Sequence, residues 1–145
     1  MFIAKLVQVF FMVLFSEIWI CTLFVISGKV IGLTSAIPWG KLVIWCLFGT
    51  LGGTVIAAIQ LMISLFIKSF ALPVGIALGG GLSGLVFLAK HLGHIWPYSL
   101  MAYGMNSNAP QELLESGYVW FVVICIVYIV LFMTISSTIL SKRDI

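Results

Sequence analysis

Two histidines, His91 and His94, stand three positions apart. On a helix they would share a face and present two imidazoles to a metal ion. A stable site needs a third carboxylate or thiolate, and none stands at ligand spacing. The pair therefore reads as polar residues at an interface. Cys21, Cys46 and Cys125 each lie inside an apolar run, with no C-x-x-C and no Cys/His spacing, which suits small packing residues rather than a disulfide or metal set. Glu112 and Glu115 occupy a polar stretch and read as solvated acids, not as an acid–base pair. Ser27-Gly28-Lys29-Val30 lacks both the leading glycine and the trailing hydroxyl of a phosphate-binding loop. G-x-S-x-G, H-E-x-x-H and C-x-x-C-H are absent from the sequence. The chain is expected not to be an enzyme and to bind no metal or cofactor directly. The remaining chemistry belongs to Glu17, Gln60 and Ser64, polar side chains set among apolar ones.

The surroundings of those three residues follow from composition. Charged residues make up 8% of the chain and hydrophobic ones 63%, where a soluble domain carries about 25% charged residues. So little charge cannot keep a surface wet, so the solvent must be a lipid bilayer. The net charge of +3 comes from singly scattered Lys and Arg, unlike the clustered basic patch that nucleic acid requires. A spanning helix needs about 20 mostly apolar residues. The stretches 3–27, 41–67, 71–89 and 118–140 qualify. The expected fold is all-α and integral to the membrane: four transmembrane helices, with a short re-entrant or interfacial segment over 90–117 between the last two. The first apolar run follows Lys5 as a signal peptide would. It is too long for one, Glu17 interrupts it, and no A-x-A-like site follows.

Orientation follows from the cations. With the N-terminus inside, Lys5, Lys68, Lys142 and Arg143 are cytoplasmic, and Lys29, Lys41 and Lys90 are outside. Both termini are then cytoplasmic, and residues 90–117 lie outside. Trp39, Trp45, Trp96, Tyr118 and Trp120 fall near the outer boundary, as an aromatic belt would, while Trp19 lies deep in the first span. Pro97 interrupts any helix across 91–110, and the apolar run Ile95–Met105 can dip into the headgroups or the protein if its backbone is shielded from lipid. Residues 106–110 should turn the chain back to water, and 111–116 should form a short surface helix.

Lipid removes the hydrophobic drive between helices, so small residues and polar contacts must hold them together. Gly49 and Gly53 on the second span, and Gly75, Gly79, Gly80 and Gly84 on the third, form small-xxx-small pairs that open grooves for a neighbouring helix. Glu17 stands roughly 20 Å along the first span, taking 1.5 Å per residue. A carboxyl there must face protein or water, as a substrate or proton contact or as a protonated structural acid. Gln60 and Ser64 share a face and either bond across to another helix or line a path. The Thr134, Ser136, Ser137, Thr138 group should bond its own helix carbonyls.

Three local patterns carry a family resemblance: QLMISLFIKSFALPVGIALG at 60–79, WPYSLM at 96–101, and a terminal helix ending in SKRDI at 141–145. Together with the spans, they resemble the permease subunits of ABC-2 type ABC transporters, most nearly the lantibiotic (bacteriocin-type peptide) immunity and export permeases. Such permeases have six spans, cytoplasmic termini, and an outer segment between the last two spans that partly re-enters the membrane. The four spans here are similar to spans three to six. The family's first two spans and its cytoplasmic coupling helix have no counterpart in these residues. The resemblance implies a permease subunit, whole or partial, in a bacterial plasma membrane. It would pair with a second permease subunit and with a separate ABC ATPase that binds the ATP. Lys68, Ser69 and Phe70 would form the ATPase-coupling turn. Glu17, Gln60, Ser64, Trp96 and Tyr98 would be candidates for the path of a cationic amphipathic peptide. The alternative is a small non-transporting membrane scaffold or anchor subunit.

Overall fold

The computed structural model describes residues 2–32, 39–67, 69, 71–106 and 115–143. Four helices are long and apolar enough to cross a membrane: α1 (Phe2–Val30), α2 (Trp39–Phe66), α3 (Ala71–Ala89) and α5 (Glu115–Arg143). Between α3 and α5 the chain makes a short 3₁₀ turn, Pro97–Ser99, and a one-turn helix, α4 (Leu100–Gly104). No strand occurs among the described residues. Residues 107–114, within which the polar turn and the start of the expected surface helix fall, lie outside the described residues; Glu115 and Ser116 belong to α5.

The helices start and stop for local reasons. α1 runs three residues past its expected end and stops where Gly32 takes a positive φ of 81°, with its N–H bonded to the Lys29 carbonyl. α3 begins with Pro73 in its first turn, where a missing N–H leaves nothing unsatisfied. It continues unbroken through Gly79, Gly80 and Gly81. It is closed just past Ala89 by His91, which adopts φ 59°, while the Leu92 N–H reaches back 2.9 Å to the Phe87 carbonyl in a Schellman closure. Thr22, Thr50, Thr54, Thr134, Ser136, Ser137 and Thr138 each donate to a carbonyl of their own helix three or four residues earlier.

α2 is the centre of the bundle. α1 packs antiparallel along it, so that Val13 meets Gly53 and Glu17 meets Gly49. α5 packs on another side, with Phe48 against Tyr118 and Phe121. The 97–104 segment enters between α2, α3 and α5. Val55, Ile59, Leu100, Phe121 and Cys125 form the core cluster, and Leu100 is fully buried. The other faces of α1, α3 and α5 are apolar and outward, with Phe15 and Phe24 each 72% exposed. Such a surface is suited to lipid.

The intervening segment is re-entrant, not interfacial. Tyr98 packs on Gly80, the tenth of the 19 residues of α3 and so midway along a helix of about 28 Å. Trp96 lies at the same depth, with its indole N–H directed at the Gly80 carbonyl. Trp96 thus lies deeper than the outer belt expected of it, because glycines on α2 and α3 open a slot that holds it and Tyr98.

Glycine placement decides that slot. A methyl group at Gly52 would stand 2.5–2.6 Å from the Leu100 and Met101 backbone, and one at Gly104 would stand 2.7 Å from the Phe48 carbonyl. Gly80 and Gly84 meet Tyr98, and Gly49 meets Met105. Gly75 and Gly79 depart from the expected groove: nothing lies within 4 Å of where their Cβ atoms would be. The reason is that α3 leans on the re-entrant segment and touches α2 only lightly, so its first half has no neighbour. Gly52→Ala should destabilise the chain by about 3 kcal/mol, because the opposing atoms are backbone and cannot yield. Gly75→Ala should leave stability unchanged or raise it by up to about 1 kcal/mol through helix propensity. Thermal unfolding of both variants in detergent micelles checks the contrast.

Candidate functional site

The 97–104 segment acts as a wedge that splays α3 from α2 and leaves a cleft of about 730 Å³ beneath it. Val9 of α1, Ala57, Leu61 and Ile67 on the α2 side, and Pro73, Val74, Ala77 and Leu78 of α3 line it. Its polar groups are Gln60, Ser64 and Ser69. The volume lies within the usual range for a ligand site, and so does the character: apolar walls with a few polar points. The cleft reaches the connection between α2 and α3.

The roof is held by one hydrogen bond. Gln60 Nε2 donates to the Tyr98 hydroxyl at 2.7 Å. Gln60 is the innermost polar side chain of the cleft, and Tyr98 is wedged against Gly80 and Gly84 on the other wall. The pair therefore ties α2 to α3 through the re-entrant segment. Ser64 turns its hydroxyl to the Leu61 carbonyl at 2.7 Å and is exposed. It lines the cleft while making no bond across it.

The re-entrant backbone is satisfied by side chains from around it. The Tyr128 hydroxyl donates to the Ile95 carbonyl at 2.7 Å. Ser99 Oγ lies 2.7 Å from both the Gly93 and the Trp96 carbonyl oxygens. The Trp96 indole stacks on Phe87 at 5.0 Å and 8°. Ser99 and Leu100 are buried.

The five residues considered for a path do not share one site. Gln60 and Ser64 line the cleft, and Tyr98 closes it. Trp96 is held on α3 and contributes no wall. Glu17 lies elsewhere, between α1, α2 and the far end of the re-entrant segment: it is 1% exposed, with Oε1 3.4 Å from the Cβ position of Gly49, beside Met105. Of the expected coupling turn, Ser69 is described and stands at the cleft mouth, whereas Lys68 and Phe70 lie outside the described residues. His91 is exposed at the end of α3, and His94 faces the Tyr103 ring at 6.2 Å. Residues that sequence reasoning passed over include Gly52, Gly104, Ser99 and Tyr128. Gly52 was legible in principle, since Gly49, Gly52 and Gly53 are spaced to share one helix face.

Tyr98→Phe should lower stability by about 1 kcal/mol, by stranding the Gln60 amide. Adding Gln60→Leu should recover most of that loss, because the second change removes the stranded group. The coupling between the two changes, read from a double-mutant cycle of unfolding in micelles, tests the roof bond.

Three comparisons bear on identity: no family model, no curated protein and no solved structure matches the chain.

Proposed function

We propose that the chain is the membrane permease subunit, whole or partial, of an exporter that moves amphipathic peptides outward across a bacterial plasma membrane. A separate ABC ATPase subunit would bind and hydrolyse the ATP. The observation that carries this reading is the cleft roofed by a re-entrant segment. Its walls are apolar, its polar points are few, and its roof is a single polar pair joining two helices. An amphipathic molecule finds there both surfaces it needs.

With both termini cytoplasmic, the cleft mouth at Ile67 and Ser69 faces the cytoplasm, and the re-entrant roof lies toward the outside. An ATPase seated at the α2–α3 connection would push on the mouth. Closing α3 onto α2 there and freeing Tyr98 from Gln60 would exchange an inward-open packing for an outward-open one, a two-state change biased by ATP.

A second reading, a non-transporting scaffold, draws on Gly75 and Gly79, whose open small-residue face suits close approach of a helix from another chain. The same face suits pairing with a second permease subunit. Two variants separate the readings. Ala77→Trp fills the cleft and should abolish peptide resistance in the producing cell while the protein still reaches the membrane. Gly79→Leu blocks the open face and should abolish assembly alone if the chain is a scaffold. Co-purification of an ATPase with the tagged chain is expected. Loss of the gene without change in peptide sensitivity would defeat the transport reading.

A further inference from the structure

Among the described residues, Glu17 is the buried polar side chain left without a hydrogen-bond partner, and it lies outside the cleft. It lies on the inward stripe of α1 with Leu6, Val9, Val13 and Cys21, on the side of the bundle held by Gly49 and Met105. Its side chain is 1% exposed, and neither carboxyl oxygen has a hydrogen-bond partner. The Met105 side chain, one residue beyond α4, covers the Gly49 position that Glu17 also faces. The titratable groups beside it are the Cys21 and Cys46 thiols, and on α5 at this level Tyr118 lies against Phe48. Among the described residues no lysine, arginine or histidine reaches its oxygens.

An ionised carboxylate with no cation and no donor is among the most unfavourable things a bilayer interior can hold. The neutral acid is the tolerable form, and it stays tolerable only while water is kept out. We propose that Glu17 is a proton-binding site sealed by the Met105 end of the re-entrant segment, so that it holds its proton while the segment is seated and releases it when the segment withdraws. Proton binding and seating then favour each other reciprocally, as any two coupled equilibria must. Rising pH removes the proton and favours withdrawal; falling pH favours the seated form. The proposal stands apart from the peptide-export reading, since it concerns a place about three helical turns along α2 from Gln60 and needs no ATPase.

The probe is a hydrophobic carbodiimide, which reacts with protonated carboxyls in apolar surroundings. The acid proton passes to a carbodiimide nitrogen, the carboxyl oxygen bonds the central carbon, and acyl migration leaves an N-acylurea. The whole reagent is retained and no group departs. Applied to the full chain in micelles, it should modify Glu17, located by peptide mass spectrometry, with yield falling as pH rises. Met105→Ala keeps the carboxyl but breaks its seal, and should move that profile to lower pH.

The seating itself is read from native Cys46, buried beside Glu17, in a Cys21→Ser, Cys125→Ser background. Its maleimide labelling rate, divided at each pH by that of the added Glu17→Gln variant, should rise from near one at low pH by roughly 5- to 150-fold at high pH, the usual span of a two-site coupling. A flat ratio overturns the proposal. So does the absence of a Glu17 adduct, or a carbodiimide profile that Met105→Ala leaves in place. The last two hold even where Glu17→Gln does not fold.

Discussion

Backbone that is neither helix nor closed strand has no place against lipid unless every polar group on it is satisfied from within. Residues 92–99 leave the α-helix and reach the middle of α3 at Trp96 and Tyr98, and the rest of the bundle is arranged around that demand. Tyr128 answers the Ile95 carbonyl, Ser99 the Gly93 and Trp96 carbonyls, and the Trp96 indole the Gly80 carbonyl. Each is a side chain of ordinary type. What is unusual is that all of them serve or flank one short segment, most of which is seated in a slot. The slot exists because Gly49, Gly52 and Gly53 bring the α2 backbone to the surface, and Gly80 and Gly84 do the same on α3. Leu100 then fills the centre with no exposed surface.

Filling that slot has a geometric consequence. A wedge that occupies the gap between α2 and α3 over half their length prevents the helices from closing over the other half. Helices paired directly lie about 8–10 Å apart; helices separated by a third segment cannot. The cleft below Tyr98 is what remains, and its apolar walls are the faces that α2 and α3 would have buried against each other. Gln60 is placed where the wedge ends, so a polar side chain that would be unfavourable between two packed helices finds a partner in Tyr98 instead. Cleft and wedge therefore have one cause.

Much of this was legible in the residues. Runs of apolar side chains set four spans, and the structure moves their ends by only a few residues; α1 stops where Gly32 turns left-handed. Pro97 with the apolar stretch 95–105 announced a segment able to enter the membrane. Its depth was not legible, because Trp96 and Tyr98 are the same residue types that belong at an interface. Depth depended on which glycines met it, and spacing alone does not distinguish Gly79, which faces open space, from Gly80, which receives Tyr98. The pairing of Gln60 with a residue 38 positions away was equally out of reach, since it depends on the register of the wedge. Glu17 stood out early as a misplaced acid, but its lack of any partner is a fact of the folded chain alone.

The wedge also joins two places that lie about three helical turns apart along α2. Its Tyr98 end closes the cleft, and its Met105 end packs on the Gly49 position that Glu17 also faces. Between them lie only the rest of a 3₁₀ turn and the five residues of α4. A helix of that length has no stability of its own, since isolated helices shorter than about 12–15 residues are marginal even for good helix formers. It is held by its surroundings, so whatever loosens one end removes part of what orders the other. Gly52 and Gly104 make the contact too close to tolerate a partial shift, because backbone meets backbone on both sides. Close-packed interfaces of that kind favour discrete alternative seatings over continuous sliding. The segment is thus suited to move as one body, with the cleft roof and the Met105 packing on Gly49 changing together.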